Sequence, residues 1–414
     1  MPTEEKMTID ERYKYLRRMR LRYVPADRAA RSRLLDEMAE VTELHRKSLV
    51  RLMAGAVLRQ PRSQERAATY GGEVAAVLRV IAESTDYVCA ERLTPNLGWL
   101  AQHLAQHGEL TVSAEVLAQL ETVSVSTVGR MLERLRQDDR RLPRKGPERA
   151  NQVTRDVPMR RIPWDTSEPG HFEGDLVHHC GRSASGEYLY TVQFVDVATG
   201  WSERSAILGR SFLMMRAAFQ RTVVRLPFPI LEIHPDNGSE FWNQHLVHFW
   251  KTTIRNVELS RSRPYQKNDN RNVEQKNASL VRAYLGYDRL DSVAQALAVN
   301  ALYDQMWLYY NFFQPVMHLT EKILAPVAGQ HTHVKRRYDP AQTPFDRLCA
   351  TQAIAPARRE ALERLRDRTN PRRLRQEIYD ALDHLWTLPG ADAGGTQNVY
   401  DLLPAIAEPA PWLL

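Results

Sequence analysis

Three carboxylates are spaced along the chain in a way that could do chemistry together: Asp175, Asp236 and Glu274. Asp175 lies in the middle of HFEGDLVHH (His171 to His179), a segment with strand character. Such a strand buries at least one face, and a lone carboxylate there is costly to desolvate; a bound metal ion offsets that cost. Asp236 follows the apolar PILEIH and opens DNGSEF. That is the C-terminal end of a strand, where α/β sheets place their ligands. Glu274 starts a helix after a loop dense in Asn and Asp, and a helix N-terminus can point a carboxylate back over a sheet edge. Three converging carboxylates with no Cys or His cluster suit a hard cation with oxygen ligands, Mg²⁺ or Mn²⁺. Two such ions, about 3.5–4 Å apart, can activate a hydroxyl nucleophile and stabilise the leaving oxygen of a phosphodiester. Taken singly, Asp236-Asn237-Gly238 also reads as a turn, and Glu274 as a charge favoured by the helix dipole. The signal is the set of three in this order.

Neighbouring residues extend the set. Glu173 lies two residues before Asp175 and points the same way, which makes it the rival carboxylate. His178 and His179 follow, each a metal ligand or a hydrogen-bonded structural histidine. Asp196 ends the second strand and reads as structural. Tyr265, Lys267, Asn268 and Asn270 precede Glu274 in a loop whose aromatic and cation could grip distorted DNA.

The elements that must position these residues follow from pattern. Tyr188 to Val195 and Trp201 to Leu208 are β runs joined by turns. Ser211 to Arg225 is helical, Pro229 to His234 a fourth strand, Ser239 to Ile254 a helix, and Val257 to Ser260 a short fifth strand. A polar loop from Pro264 to Asn272 leads into a helix from Val273 to about Leu285. The order β-β-β-α-β-α-β-α predicts three antiparallel strands followed by parallel ones, a mixed five-stranded α/β sheet of ribonuclease H-like arrangement. Strands one and four are then adjacent, and the two aspartates meet. A helix from Ser292 to Phe313 follows, then a basic irregular stretch from His331, a helix from about Ala357 to Leu388, and a poorly ordered end.

The residues before the sheet are helical and basic. Asp27 caps a helix with Leu34, Leu35, Met38 and Val41. After a break at Thr42 to His45, a second short helix offers Arg46, Lys47 and Ser48 on its exposed side. A second such pair begins at Ser113 and turns at Glu121 to Ser124. It presents Ser124, Ser126, Thr127 and Arg130, types that reach phosphates and base edges. Both pairs have the form of a helix-turn-helix. Between them and the sheet runs RRLPRKGPERANQVTRDVPMRR, whose eight Arg and Lys, Arg144 and Lys145 among them, face only Glu148 and Asp156. It reads as an extended basic linker able to follow a nucleic-acid backbone.

Composition sets the outer bounds. A chain of 414 residues exceeds one compact core, and its net charge of +7 modestly favours a polyanionic partner. Cys89, Cys180 and Cys349 are far apart and in no zinc spacing, so neither a disulfide framework nor a cysteine zinc site is expected. No apolar run is long enough to span a bilayer, and MPTEEKMTIDERYKYLRR lacks a signal core, so a cytoplasmic protein without membrane contact is expected, nucleoid-associated where DNA is its partner.

Through GHFEGDLVHHCG, GEYLYTVQFVDVATGW, HPDNGSEF and SRPYQKNDNRNVEQKN, the chain resembles the DDE transposases of bacterial insertion sequences, the group related to retroviral integrases. The resemblance runs from about Pro169 to Asp288 and is weaker over most of the rest. It implies that Asp175, Asp236 and Glu274 are the catalytic, metal-holding acids. It further implies that the element's 3′ ends are nicked and each freed 3′-OH attacks target DNA. The partners implied are double-stranded DNA, as terminal inverted repeats and as target, and further copies of the chain in a homodimer or larger assembly. A nuclease or resolvase of the same fold, or an inactive DNA-binding regulator, would share these features in part. One departure stands out: many relatives carry a basic residue two helical turns after the glutamate, but position 281 is Val, and Arg282 or Lys276 would have to supply that DNA contact. The expected division is 1–65 and 66–139 (helix-turn-helix regions, all-α), 140–162 (linker), 163–290 (catalytic core) and 291–414 (a mainly helical C-terminal region).

Overall fold

A computed structural model describes residues 7–57, 70–135, 167–235, 244–254, 256–260, 270–326, 332–392 and 397–407. The chain divides into two compact units, Met1–Thr69 and Tyr70–Leu414.

In the first unit three helices, α1 (Ile9–Tyr23), α2 (Arg28–Thr42) and α3 (Arg46–Ala54), close on Leu16, Met19, Leu35, Met38, Leu49 and Met53. Thr8 and Glu11 form a reciprocal capping box on α1, and the Asp27 side chain caps α2 by accepting the Ala30 N–H at 2.7 Å. Glu43 takes the left-handed conformation that ends α2, and α3 begins after His45.

The second unit opens with α4 (Gly72–Ser84), α5 (Ala90–Leu93), α6 (Leu97–Gln106), α7 (Ala114–Thr122) and α8 (Val125–Leu135), packed around Leu78, Ile81, Leu93, Leu97, Leu100 and Val128. These helices are tied to the remainder of the unit by polar contacts: the Tyr309 hydroxyl donates to the Ser84 carbonyl at 3.0 Å, and Arg375 pairs with Asp86 at 3.0 Å.

The sheet has the predicted element order. Strands β1 (His171–His178), β2 (Leu189–Asp196), β3 (Ser202–Leu208), β4 (Glu232–Pro235) and β5 (Glu258–Leu259) lie in the order β3-β2-β1-β4-β5. The β1–β2 and β2–β3 pairs are antiparallel, β1–β4 and β4–β5 parallel. Helices α9 (Phe212–Arg225) and α10 (Gln244–Thr253) make the crossovers. Asp196 behaves as the structural residue expected. It accepts the Gly170 N–H and the Thr199 N–H, each at 2.8 Å, and so closes the β2–β3 turn against the start of β1.

After β5 come α11 (Arg271–Lys276), a π-helical turn (Asn277–Arg282) and α12 (Ala283–Leu285) in one continuous run. Helix α13 (Val293–Phe313) then lies along the free edge of β3. Two of its asparagines serve that edge as a further strand would. Asn300 accepts the Ala206 N–H at 3.0 Å and donates to its carbonyl at 2.8 Å; Asn311 does the same for Ser202 at 3.0 and 3.2 Å. Eleven residues is close to three helical turns, so both amides fall on one face. Beneath this edge Glu203 and Arg225, both fully buried, pair at 3.1 Å, and the Trp201 indole N–H donates to Glu203 at 2.9 Å.

The C-terminal region departs from expectation in three places. The basic stretch from His331 is not irregular: β7 (Thr332–Tyr338) pairs antiparallel with β6 (Leu319–Pro326). The helix expected from Ala357 to Leu388 is two, α15 (Pro356–Asp367) and α16 (Pro371–Thr387), after a short α14 (Pro344–Cys349). Pro371 cannot continue α15, and Asn370 caps α16 by accepting the Arg372 and Arg373 N–H groups. Near the end of the chain, residues 397–407 include α17 (Leu403–Ala407), with Leu402 and Ile406 buried in the main core. No helix among the described residues is long and apolar enough to cross a membrane.

Candidate active site

Asp175 lies on β1 opposite Gln193 of β2. Parallel pairing of β1 with β4 extends to Gly174↔Pro235, so Asp175 and Asp236 are each the next residue along from the last pair. Asp236 itself lies outside the described residues. Gly174 is required where it stands: a Cβ there would sit 2.6 Å from the Phe194 ring. Asp175 is half-buried. Its Oδ1 accepts the Leu176 N–H at 2.8 Å, and its Oδ2 accepts from the Asn277 amide.

That second contact brings the Glu274 helix to β1. Asn277 follows Glu274 by three residues and so shares its helical face, while Glu274 itself is exposed. Glu173, fully buried on the same face of β1, grips the start of that helix. One carboxylate oxygen accepts the Asn272 side-chain N–H and the other the Val273 backbone N–H, each at 2.8 Å. The Asn270 side chain at the N-cap position makes no capping bond, so the cap is supplied from β1. Burial pushes the Glu173 carboxyl up to about 7 against the pull of these donors. The rival carboxylate therefore has both oxygens engaged in docking α11.

A third contact lies one π turn further on. Arg282 donates to the His178 carbonyl at 2.7 Å and to the Gly286 carbonyl at 3.1 Å, and its guanidinium stacks on Tyr287. The guanidinium is thus a strut between the end of the π turn and β1. Lys276, two residues after Glu274, lies on another face of the helix. It is half-buried, and burial near Arg92 and Arg204 pushes its ammonium down to about 7. Of the two histidines, His179 is structural: it is fully buried, and its Nε2 meets the Thr191 hydroxyl at 2.8 Å. His178 lies 3.3 Å from the Tyr188 hydroxyl.

The donors around Asp175 fit a hard cation. Oxygen dominates, and the buried Asn277 Oδ1, beside the Asp175 carboxylate, has no hydrogen-bond partner. The Gln193 amide, opposite Asp175, is buried and unpartnered at both atoms. Among the described residues no three His, Cys, Asp or Glu side chains converge as a metal site, and the third expected acid is outside them. Asn277 and Asn272 escaped the sequence reading, although the three-residue spacing from Glu274 to Asn277 is a legible signal of a shared face.

The other expected contacts lie apart from this site. Ser124, just before α8, and Ser126 and Arg130 on it are exposed and Thr127 is half-buried; Arg130 donates to the Thr127 hydroxyl at 3.2 Å. On α3, Lys47 is exposed and Ser48 half-buried, whereas Arg46 reaches back to Asp36 and to the Ser32 hydroxyl. Arg144, Lys145, Tyr265, Lys267 and Asn268 lie outside the described residues.

Sheet and site together define a class: a mixed five-stranded α/β unit whose first strand carries an acid against a docked helix bearing another. The chain belongs to the same family as the uncharacterized protein y4rM of Sinorhizobium fredii (strain NBRC 101917 / NGR234). The two are 36% identical over 327 residues, 79% of this chain and 91% of that one. No family model matches the chain. Among solved structures it is similar to the catalytic core domain of BIV integrase, at 17% identity and a TM-score of 0.25, over 34% of this chain and 83% of that one. It is also similar to a simian T-cell lymphotropic virus intasome in complex with PP2A regulatory subunit B56 gamma, at 16% identity and a TM-score of 0.27, over 44% of this chain and 59% of that one.

Proposed function

We propose that the chain is a DDE-type polynucleotidyl transferase: a transposase that cleaves DNA at the ends of a mobile element and joins the freed 3′-OH ends to target DNA. The observation that carries this reading is the docking of the Glu274 helix on the strand of Asp175 through the Asn277 amide, where the β1–β4 pairing ends. Asp175, Asp236 and Glu274 would hold two Mg²⁺ or Mn²⁺ ions, whose Lewis acidity would act on the phosphodiester. In the first reaction water adds to phosphorus and the 3′ oxygen leaves as a hydroxyl. In the second that hydroxyl adds to a target phosphorus and displaces the target's 3′ oxygen. The protein's own part is to orient the acids: Asn277 fixes one oxygen of Asp175, and the Leu176 N–H fixes the other.

The exposed Ser126 and Arg130 on α8 and Ser124 just before it, with Lys47 and Ser48 on α3, suit terminal repeats of double-stranded DNA. Joining two ends in one event calls for at least a dimer. The test is joining of element ends into plasmid in Mg²⁺. Asp175→Asn, Asp236→Asn and Glu274→Gln should each abolish cleavage and joining while end binding persists. Normal joining by any one of them removes that residue from the triad.

A further inference from the structure

We infer that Glu173 is a positioning residue for Glu274, capping α11 from β1 and so setting where the exposed carboxylate stands. The inference rests on the reading above.

Three polar contacts fasten the helical run to β1. Glu173 holds Asn272 and Val273, Asp175 meets Asn277, and the His178 carbonyl meets Arg282. Residues two apart on a strand are about 6.7 Å apart. Residues four apart on a helix, such as Val273 and Asn277, rise about 6 Å. The first two contacts therefore run in step along strand and helix, and together they fix both the height and the rotation of α11. Glu274 is bonded directly to Val273, so the Glu173 contact lies one residue from the carboxylate it governs. The Asn270 side chain at the N-cap makes no capping bond to α11, so among the described residues the cap comes from Glu173. With both oxygens accepting from helix donors, Glu173 acts as an acceptor and not as a further metal ligand.

Glutamine and alanine separate those roles. A glutamine at 173 keeps a carbonyl for the Val273 N–H; alanine leaves that buried N–H without an acceptor and lets the helix start shift. The full chain is assayed for end joining across a Mg²⁺ titration, with end binding and the urea midpoint measured in parallel. Glu173→Ala should raise the Mg²⁺ half-saturation by about 10–100-fold, the range for loss of a residue that supports metal ligands. Joining should recover at high Mg²⁺, and end binding should hold. Glu173→Gln should restore the half-saturation to within a few-fold of wild type. A lower urea midpoint with unchanged half-saturation in Glu173→Ala overturns the inference and leaves Glu173 a packing residue. A Glu173→Gln chain as inactive as Asp175→Asn overturns it too, by making Glu173 a ligand. If the wild-type chain shows no Mg²⁺-dependent joining, the transferase reading fails and takes this inference with it.

Discussion

Burial sets the chemistry of the individual side chains around β1. Glu173 and His179 are both fully enclosed, yet burial moves them oppositely, because it penalises whichever form is charged: the carboxyl is driven up to about 7 and the imidazole down to about 3. For His179, Arg282 and His178 add to the effect of burial. The sign of the consequence follows from proton counts. In the unfolded chain this histidine takes up a proton near pH 6.5; in the folded one it stays neutral far below that, so the unfolded state binds more protons and stability rises with pH. His179 therefore contributes stability that is complete above about pH 6.5 and is lost as pH falls toward 3, at about 1.4 kcal/mol per pH unit. Urea midpoints at pH 7.5 and pH 5 should differ less in His179→Gln than in the wild type; an equal difference would assign the acid sensitivity to other groups.

At the scale of elements, the π turn of Asn277–Arg282 shifts the helical register past Glu274. Counting at 3.6 residues per turn places position 281 on the face of Glu274, and a valine there is buried. The π turn takes up one residue more, so Arg282 arrives over β1 instead. A periodicity argument assumes uniform turns and cannot see this. Arg282 then contrasts with Arg130, whose guanidinium stands exposed on α8. Arg130→Ala should weaken end binding and lower the slope of log K against log salt by about 1, the signature of one lost phosphate contact. Arg282→Ala should leave that slope unchanged and lower the urea midpoint. A reduced slope in Arg282→Ala would return it to the DNA surface. The β6–β7 hairpin was hidden in sequence for a different reason: HVKRRY has no apolar alternation to mark a buried face. The cap that Glu173 gives α11 was hidden because it comes from a strand about a hundred residues away, while capping rules look to adjacent positions.

For the molecule as a whole, the sheet was the legible part. Two tight turns and two helical crossovers leave few arrangements for five short apolar runs, and the strand order follows. The adjacency of strands one and four, which brings Asp175 to the end of the β4 pairing, follows with it. The helices α4–α8 and the sheet fall in one compact unit, joined by long-range polar contacts such as Arg375 with Asp86. A chain of residues 70–414 should therefore unfold in one transition at the temperature of the corresponding transition in the full chain, measured by circular dichroism. A large drop on removing residues 1–69 would mean that the first unit holds the second together.

The asparagines that line β3 also bear on how copies of this chain can meet. An exposed sheet margin is a template: its unpaired amides invite a strand from a neighbour, and repeated pairing ends in a fibre. Here the longer margin is already occupied by side-chain amides that copy a strand's hydrogen bonding at Ser202 and Ala206 without its capacity to propagate. The opposite margin, β5, is only two residues long. A neighbouring copy can then meet the β3 margin only through side-chain surfaces, and that side of the sheet is closed to polymerisation.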